Sequence, residues 1–138
     1  MDKVFDLEII TPLSVLYKAK IQHVRLPGVA GYLGIKAGHE PFVTTLTIGE
    51  IKANLENNDV KYFATSGGIV EVLPNITTIL VETAEEATEI NLERALYAKE
   101  RAERRLAEKT TKTDINRAKL ALAKAENRIK VIKKVKPE

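Results

Sequence analysis

Few residues in this chain could do covalent chemistry. It has two histidines and no cysteine, which excludes thiolate nucleophiles, disulfides and cysteine-ligated zinc. Neither His23 nor His39 stands in a nucleophile or metal-ligand pattern such as HExxH. His23 falls on the polar side of a strand-like run and is expected to be exposed. His39 lies in a glycine-bounded loop, suited to a turn or to contact with a partner. Gly28, Gly31 and Gly34 resemble a dinucleotide loop superficially, but no helical segment follows to offer its N-terminus to a pyrophosphate. The chain reads as a non-enzyme with no metal site. What remains is a set of cations. Arg94 and Arg101 are seven apart, hence on one helical face, with Arg105 close to the same line, and Lys124 and Arg128 are one turn apart. Folded together, the two segments could bring these cations above residues 85–91. Converged cations repel unless an anion lies between them, a physical reason to expect a phosphate ligand; a solvated arrangement explains the residues equally well.

The segment that must position these cations is residues 90–135. It has no glycine or proline and is built mainly from Ala, Leu, Lys, Arg and Glu, all strong helix formers. Residues 92–106 read as a first helix. Ile115, Ala118, Leu122, Ala125, Ile129 and Ile132 recur at spacings of three and four, an apolar seam on a second. Glu108–Thr113 reads as the link, with Thr113 or Asp114 as the cap of the second helix. Alanine supplies much of the seam, so the area buried per turn is small. Such a hairpin could exchange one packing partner for another, or stay docked on its own domain. The lysine-rich end, residues 130–136, is expected to fray.

The preceding residues have a different rhythm. Phe5, Leu7 and Ile9 alternate with Asp6 and Glu8, and Val24 and Leu26 with His23 and Arg25, as in half-buried strands. Leu13–Tyr17 is a short apolar piece and residues 27–34 are a glycine-rich excursion. Further strands are expected at 42–48, 50–56, 60–65, 69–73 and, as the last, 76–81, with Asn57-Asn58-Asp59 as a hairpin turn. Strands gathered before helices imply an α+β chain rather than a parallel α/β sheet: an antiparallel β-sandwich over residues 1–86, then a two-helix hairpin over 87–138.

Charge divides the same way. Residues 1–87 carry 7 basic and 11 acidic side chains, and residues 88–138 carry 15 and 8. A basic helical end suggests an acidic surface, a phosphate, nucleic acid or anionic lipid as partner. Nucleic acid is disfavoured, because a stacking platform needs aromatics among the cations; only 5% of residues are aromatic and none follows Tyr97. No apolar run approaches the ~20 residues that span a bilayer, and the first residues do not read as a secretory signal.

Three stretches carry a likeness: Gly31-Tyr32-Leu33-Gly34-Ile35 leading to Gly38-His39-Glu40-Pro41, Ser66-Gly67-Gly68-Ile69-Val70-Glu71-Val72, and Ile90-Asn91-Leu92-Glu93-Arg94-Ala95. With the β-then-hairpin layout, the chain resembles the epsilon subunit of the bacterial rotary F-type ATP synthase over essentially its full length. The resemblance implies a non-catalytic central-stalk subunit, peripheral on the cytoplasmic face of the cell membrane. Its sandwich would contact the gamma subunit and the c-ring, with Tyr32 and His39 facing the rotor, and would help couple proton or sodium flow to ATP synthesis. Its mobile helices would inhibit hydrolysis by extending into the alpha/beta hexamer, where the basic charge of the second helix suggests that Arg117, Lys119, Lys124, Arg128 and Lys130 meet acidic surface. A free-standing ATP-sensing module is the alternative. Some members bind regulatory ATP, which would place nucleotide at Glu85, Ile90, Asn91, Arg94, Ala95, Arg101, Lys124 and Arg128; no other cofactor is implied. Asn91 stands where that motif has aspartate and Lys124 where it has arginine, departures expected to weaken binding. Lys36-Ala37 replaces the usual apolar-proline pair of the rotor loop.

Overall fold

A computed structural model describes residues 3–108 and 111–136. They fall into two compact units divided between Glu86 and Ala87.

The first unit is a β-sandwich. Its strands are β1 (Phe5–Ile10), β2 (Val15–Gly28), β3 (Gly31–Lys36), β4 (Phe42–Leu46), β5 (Gly49–Leu55), β6 (Val60–Thr65), β7 (Gly68–Val72), β8 (Ile76–Val81) and β9 (Ala84–Glu86). The alternation of β1 does what it implies: Phe5, Leu7 and Ile9 are buried, while Asp6 and Glu8 lie opposite Lys20 and Lys18 of β2 and pair with them. β2 belongs to both layers. Its first half pairs with β1, and its second half with β3 and β5. The change falls at a register shift between Ile21 and His23, where the extra residue bends the strand. One layer runs from β2 through β1, β8 and β7 to β4; the other runs from β3 through β2, β5 and β6 to β9. Their inner faces form one core that includes Leu7, Ile9, Ile21, Val24, Leu26, Ile51, Phe63, Val70 and Ile79.

Four expectations are corrected here. β1 and β8 pair in parallel, so the sandwich is not wholly antiparallel; strands this distant in sequence are free of the hairpin constraint that forces antiparallel neighbours. Leu13–Tyr17 and residues 21–26 are not separate pieces, because β2 runs from Val15 to Gly28. The glycine-rich excursion is the end of β2, a turn at Val29 and Ala30, and β3. Finally, residues 76–81 are not the last strand, since β9 adds an edge to β6.

The second unit opens with a single 3-10 turn, Ala87–Glu89, followed by α1 (Leu92–Glu108) and α2 (Lys112–Ile132). The two helices pack on each other, and α2 also meets the opening turn. Each buries alanines seven residues apart, Ala95 and Ala102 on α1, Ala118 and Ala125 on α2, a heptad step that keeps one narrow face inward. The expected seam is real: Ala118, Ala125, Ile129 and Ile132 are buried and Ile115 and Leu122 half-buried. The cap is Thr111, not Thr113 or Asp114. Thr111 is extended and its hydroxyl accepts from the Asp114 backbone N–H, which leaves Asp114 in the first turn, where a carboxylate suits the helix dipole. α1 and α2 therefore reach to Glu108 and from Lys112; Lys109 and Thr110, at the centre of the expected link, lie outside the described residues. At the other end, Lys133, Lys134, Val135 and Lys136 donate their N–H groups back to Ile129, Val131 and Ile132 carbonyls, so the lysine-rich end continues in hydrogen-bonded turns.

Candidate functional site

Tyr32 sits just past the β2–β3 turn, and glycine makes that turn possible. Gly31 has φ +130°, and a Cβ on Gly28 would lie 2.7 Å from the Gly31 carbonyl oxygen. Tyr32 is 61% exposed, yet its ring is not unsupported. The Arg25 guanidinium lies 4.6 Å from its centroid, close enough for a cation–π contact. Arg25 Nη2 in turn donates to Glu50 Oε1 at 3.1 Å, and the Glu50 side chain is only 8% exposed. His39 follows the far end of β3. Its Nδ1 donates to the Glu40 carbonyl at 2.7 Å, and its ring lies 5.0 Å from that of Phe42. The two residues expected at the rotor thus flank opposite ends of one strand and are not brought together.

His23 is half-buried rather than exposed. It faces Lys36 on β3 and Asn54 on β5. Burial lowers its pKa below 6.5, Lys36 lowers it further, and a hydrogen bond to Asn54 opposes both, while Lys52 and Arg25 add smaller depressions. A histidine held neutral by folding binds its proton first in the unfolded chain. Its stabilising contribution is therefore complete above 6.5 and is lost as pH falls toward the lowered value. Urea midpoints compared at pH 7.5 and pH 5 should drop more for the native chain than for His23→Gln; equal drops would remove His23 as the cause.

On the hairpin, Asn91 caps α1, its Oδ1 accepting from the Arg94 N–H at 3.0 Å. Ile90 and Ala95 are buried, whereas Arg94 and Arg101 are exposed. Arg101 rests 6.0 Å from the Tyr97 centroid. Lys124 and Arg128 are half-buried on α2. Because α2 returns to the turn that precedes α1, the last turns of α2 lie at the Arg94 end of the hairpin. Among the described residues, Arg94, Arg101 and Lys124 have no carboxylate within ion-pairing distance. At about 100° per residue, Arg117, Lys124 and Arg128 form one line beside the seam and Lys119 and Lys130 a second, so the expected inhibitory cations occupy two flanks. Glu85 belongs to the other unit, on β9 opposite Ala64.

The family model of the ATP synthase Delta/Epsilon chain beta-sandwich domain matches residues 4–87, and that of the long alpha-helix domain of the same chain matches residues 88–133. The chain belongs to the ATP synthase Delta/Epsilon family. Among its relatives, the ATP synthase epsilon chain of Syntrophomonas wolfei is 42% identical over 133 residues, 96% of this chain and 97% of the relative. The epsilon chain of Bacillus licheniformis is 44% identical over 129 residues, 94% of this chain and 98% of the relative. A chain in the cryo-EM structure of the Euglena gracilis mitochondrial ATP synthase, OSCP/F1/c-ring, superposes with TM-score 0.80 over 90% of this chain and 78% of that one. At 21% identity that likeness speaks for the Delta/Epsilon fold alone.

Sequence reasoning misses the Arg25–Glu50 pair beneath Tyr32. Glu50 opens a strand and looks like an ordinary polar position; only the pairing of Arg25 with Lys52, two residues along β5 from Glu50, puts the carboxylate within reach. Nor does the sequence show the burial of His23. In both cases the signal lies in cross-strand register. No described helix is long and apolar enough to cross a membrane.

Proposed function

We propose that the chain is a non-catalytic central-stalk subunit of a rotary ATP synthase. Its sandwich rides on the rotor, meeting the gamma subunit and the c-ring on the cytoplasmic side of the membrane, and helps couple ion flow to ATP synthesis. Its hairpin acts as a brake on hydrolysis that engages the alpha/beta hexamer. The observation that carries the reading is the match of both family domains, in order, from residue 4 to residue 133.

A brake must be able to leave one packing for another. The hairpin suits that requirement because its inward faces are largely alanine, and an alanine seam buries little area per turn. The residues also fit a regulatory nucleotide. Arg94, Arg101, Lys124 and Arg128 would hold its phosphates, while Asn91 keeps the start of α1 in place through its cap. Bound ATP would supply the negative charge that lets these cations sit together. The two cationic lines on α2, Arg117 with Lys124 and Arg128, and Lys119 with Lys130, would meet acidic surface when the brake is on.

The test is the ATPase activity of the assembled complex with the chain intact and with it ended at Glu89. Hydrolysis should rise on truncation while synthesis and assembly persist. Unchanged hydrolysis would refute the brake and leave the hairpin as a docked appendage.

A further inference from the structure

The sandwich has seven lysines and arginines, and they divide sharply. Lys18 holds Glu8, Lys20 holds Asp6, Arg25 holds Glu50 and Lys61 holds Glu86. Lys3, Lys36 and Lys52 have no such partner among the described residues. All three line the same groove, of about 640 Å³, together with His23 and Asn54. This size lies within the range of pockets that take small molecules.

The cations reach the groove from separate elements: Lys36 from β3, Lys52 from β5, Lys3 from the lead into β1. Directly opposed like charges destabilise a sheet, and here Lys52 stands opposite Arg25 in register, while Lys36 stands opposite the imidazole of His23. Gly34 keeps that imidazole uncrowded, because a Cβ there would stand 3.0 Å from Nε2. No Asp or Glu lines the groove among the described residues. Burial is the main reason the His23 pKa is lowered, and the cations add to it: Lys36 from β3, Lys52 from β5 and Arg25 on its own strand act against its protonation, while the hydrogen bond to Asn54 favours it.

We propose that this groove between β2, β3 and β5 is a binding site for a phosphate-bearing anion, either a free phosphate compound or the headgroup of an anionic lipid. Lysines are flexible point charges and suit a multiply charged group approached from several sides. Asn54 offers a neutral polar contact beside them.

The full-length chain tests this directly. Its two histidines give separable imidazole NMR signals, assigned with His39→Gln. Sodium pyrophosphate, titrated at constant ionic strength, should shift the His23 signals saturably and raise the His23 pKa. K36Q/K52Q should weaken that response at least about tenfold, as loss of charge-assisted contacts implies. K18Q/K20Q, which removes the same charge elsewhere, should respond like the native chain. In parallel, co-sedimentation with phosphatidylglycerol–phosphatidylcholine vesicles is compared with phosphatidylcholine alone. Saturable pyrophosphate binding without vesicle preference supports a free phosphate ligand; vesicle binding lost in K36Q/K52Q but kept in K18Q/K20Q supports a lipid headgroup. The proposal is overturned if His23 follows ionic strength alone and vesicle binding ignores K36Q/K52Q, or if both double variants lose binding equally.

Discussion

Gly68→Ala is expected to destabilise the sandwich by about 3 kcal/mol or more, through overpacking and an unfavourable backbone conformation together. Gly68 begins β7 opposite Val81 of β8. A Cβ on it would be driven into the Leu80 carbonyl oxygen and would stand 3.0 Å from the carbonyl carbon. Those atoms are backbone in a paired strand and cannot swing aside. For a domain of this size, each kcal/mol shifts the melting midpoint by roughly 4–8 °C, so a fall of upward of about 12 °C should appear in the β-sheet circular dichroism. Gly38→Ala is the natural comparison. Gly38 also has a positive φ, +80°, but a Cβ there meets nothing within 4 Å, so only the conformational cost of about 1–2 kcal/mol applies. Equal losses in the two variants would mean that the close approach of β7 to β8 has no energetic weight.

Glu50→Ala should cost about 2 kcal/mol, the penalty of stranding a partly buried charge. That is less than the ~3–5 kcal/mol typical of a fully buried pair, because the Arg25 side chain keeps 34% of its exposure. Its Nε is already buried without a hydrogen-bond partner, so the guanidinium has little else to turn to. The decisive comparison is the double variant Arg25→Met with Glu50→Ala. Removing both charges should restore much of the urea midpoint, since apolar replacement of a buried pair is often near neutral. A double variant no more stable than Glu50→Ala would show that Glu50 acts through something other than Arg25. The consequence reaches Tyr32, whose ring rests on that guanidinium. With Glu50 gone, Tyr32 should show faster ring motion by NMR.

How much of this was legible in the sequence follows from the range of the interactions. Phe5, Leu7 and Ile9 announce their strand by alternation, and the alanines of the hairpin announce their face by spacing, because both patterns are local. Asn57-Asn58-Asp59 reads as a turn for a local reason too: Asn58 adopts φ +73°, a conformation asparagine tolerates well. The passage from Leu26 through Pro27 to Gly28 misleads, since proline and glycine usually mark loops. Here Pro27 pairs with Tyr32, and its carbonyl accepts from the Thr47 N–H, so partners remote in sequence keep it in the sheet. Ala84–Glu86 is too short and acidic to look like a strand and exists through its ladder to β6. Thr111 could have been found, because an acidic residue stands three positions on at Asp114, in the manner of a capping box. The cationic groove was out of reach: Lys3, Lys36 and Lys52 share no spacing and meet only once β3 and β5 flank β2.

The parallel ladder between β1 and β8 also sets a timetable for synthesis. Leu7 and Ile9 leave the ribosome early, but Thr77 and Ile79, which lie opposite them, are made some seventy residues later. Until then one side of β1 has no partner and its apolar face has only half a core, so closure of the sandwich is a late event. At about 5–20 residues per second, the segment Ala87–Glu138 then takes roughly 3–10 s more to translate. The hairpin forms from near neighbours and needs no such wait. Because the exit tunnel encloses the most recently made residues, β8 and β9 emerge only while that segment is being translated, so the β-domain closes while still tethered to the ribosome by the residues that become its helices.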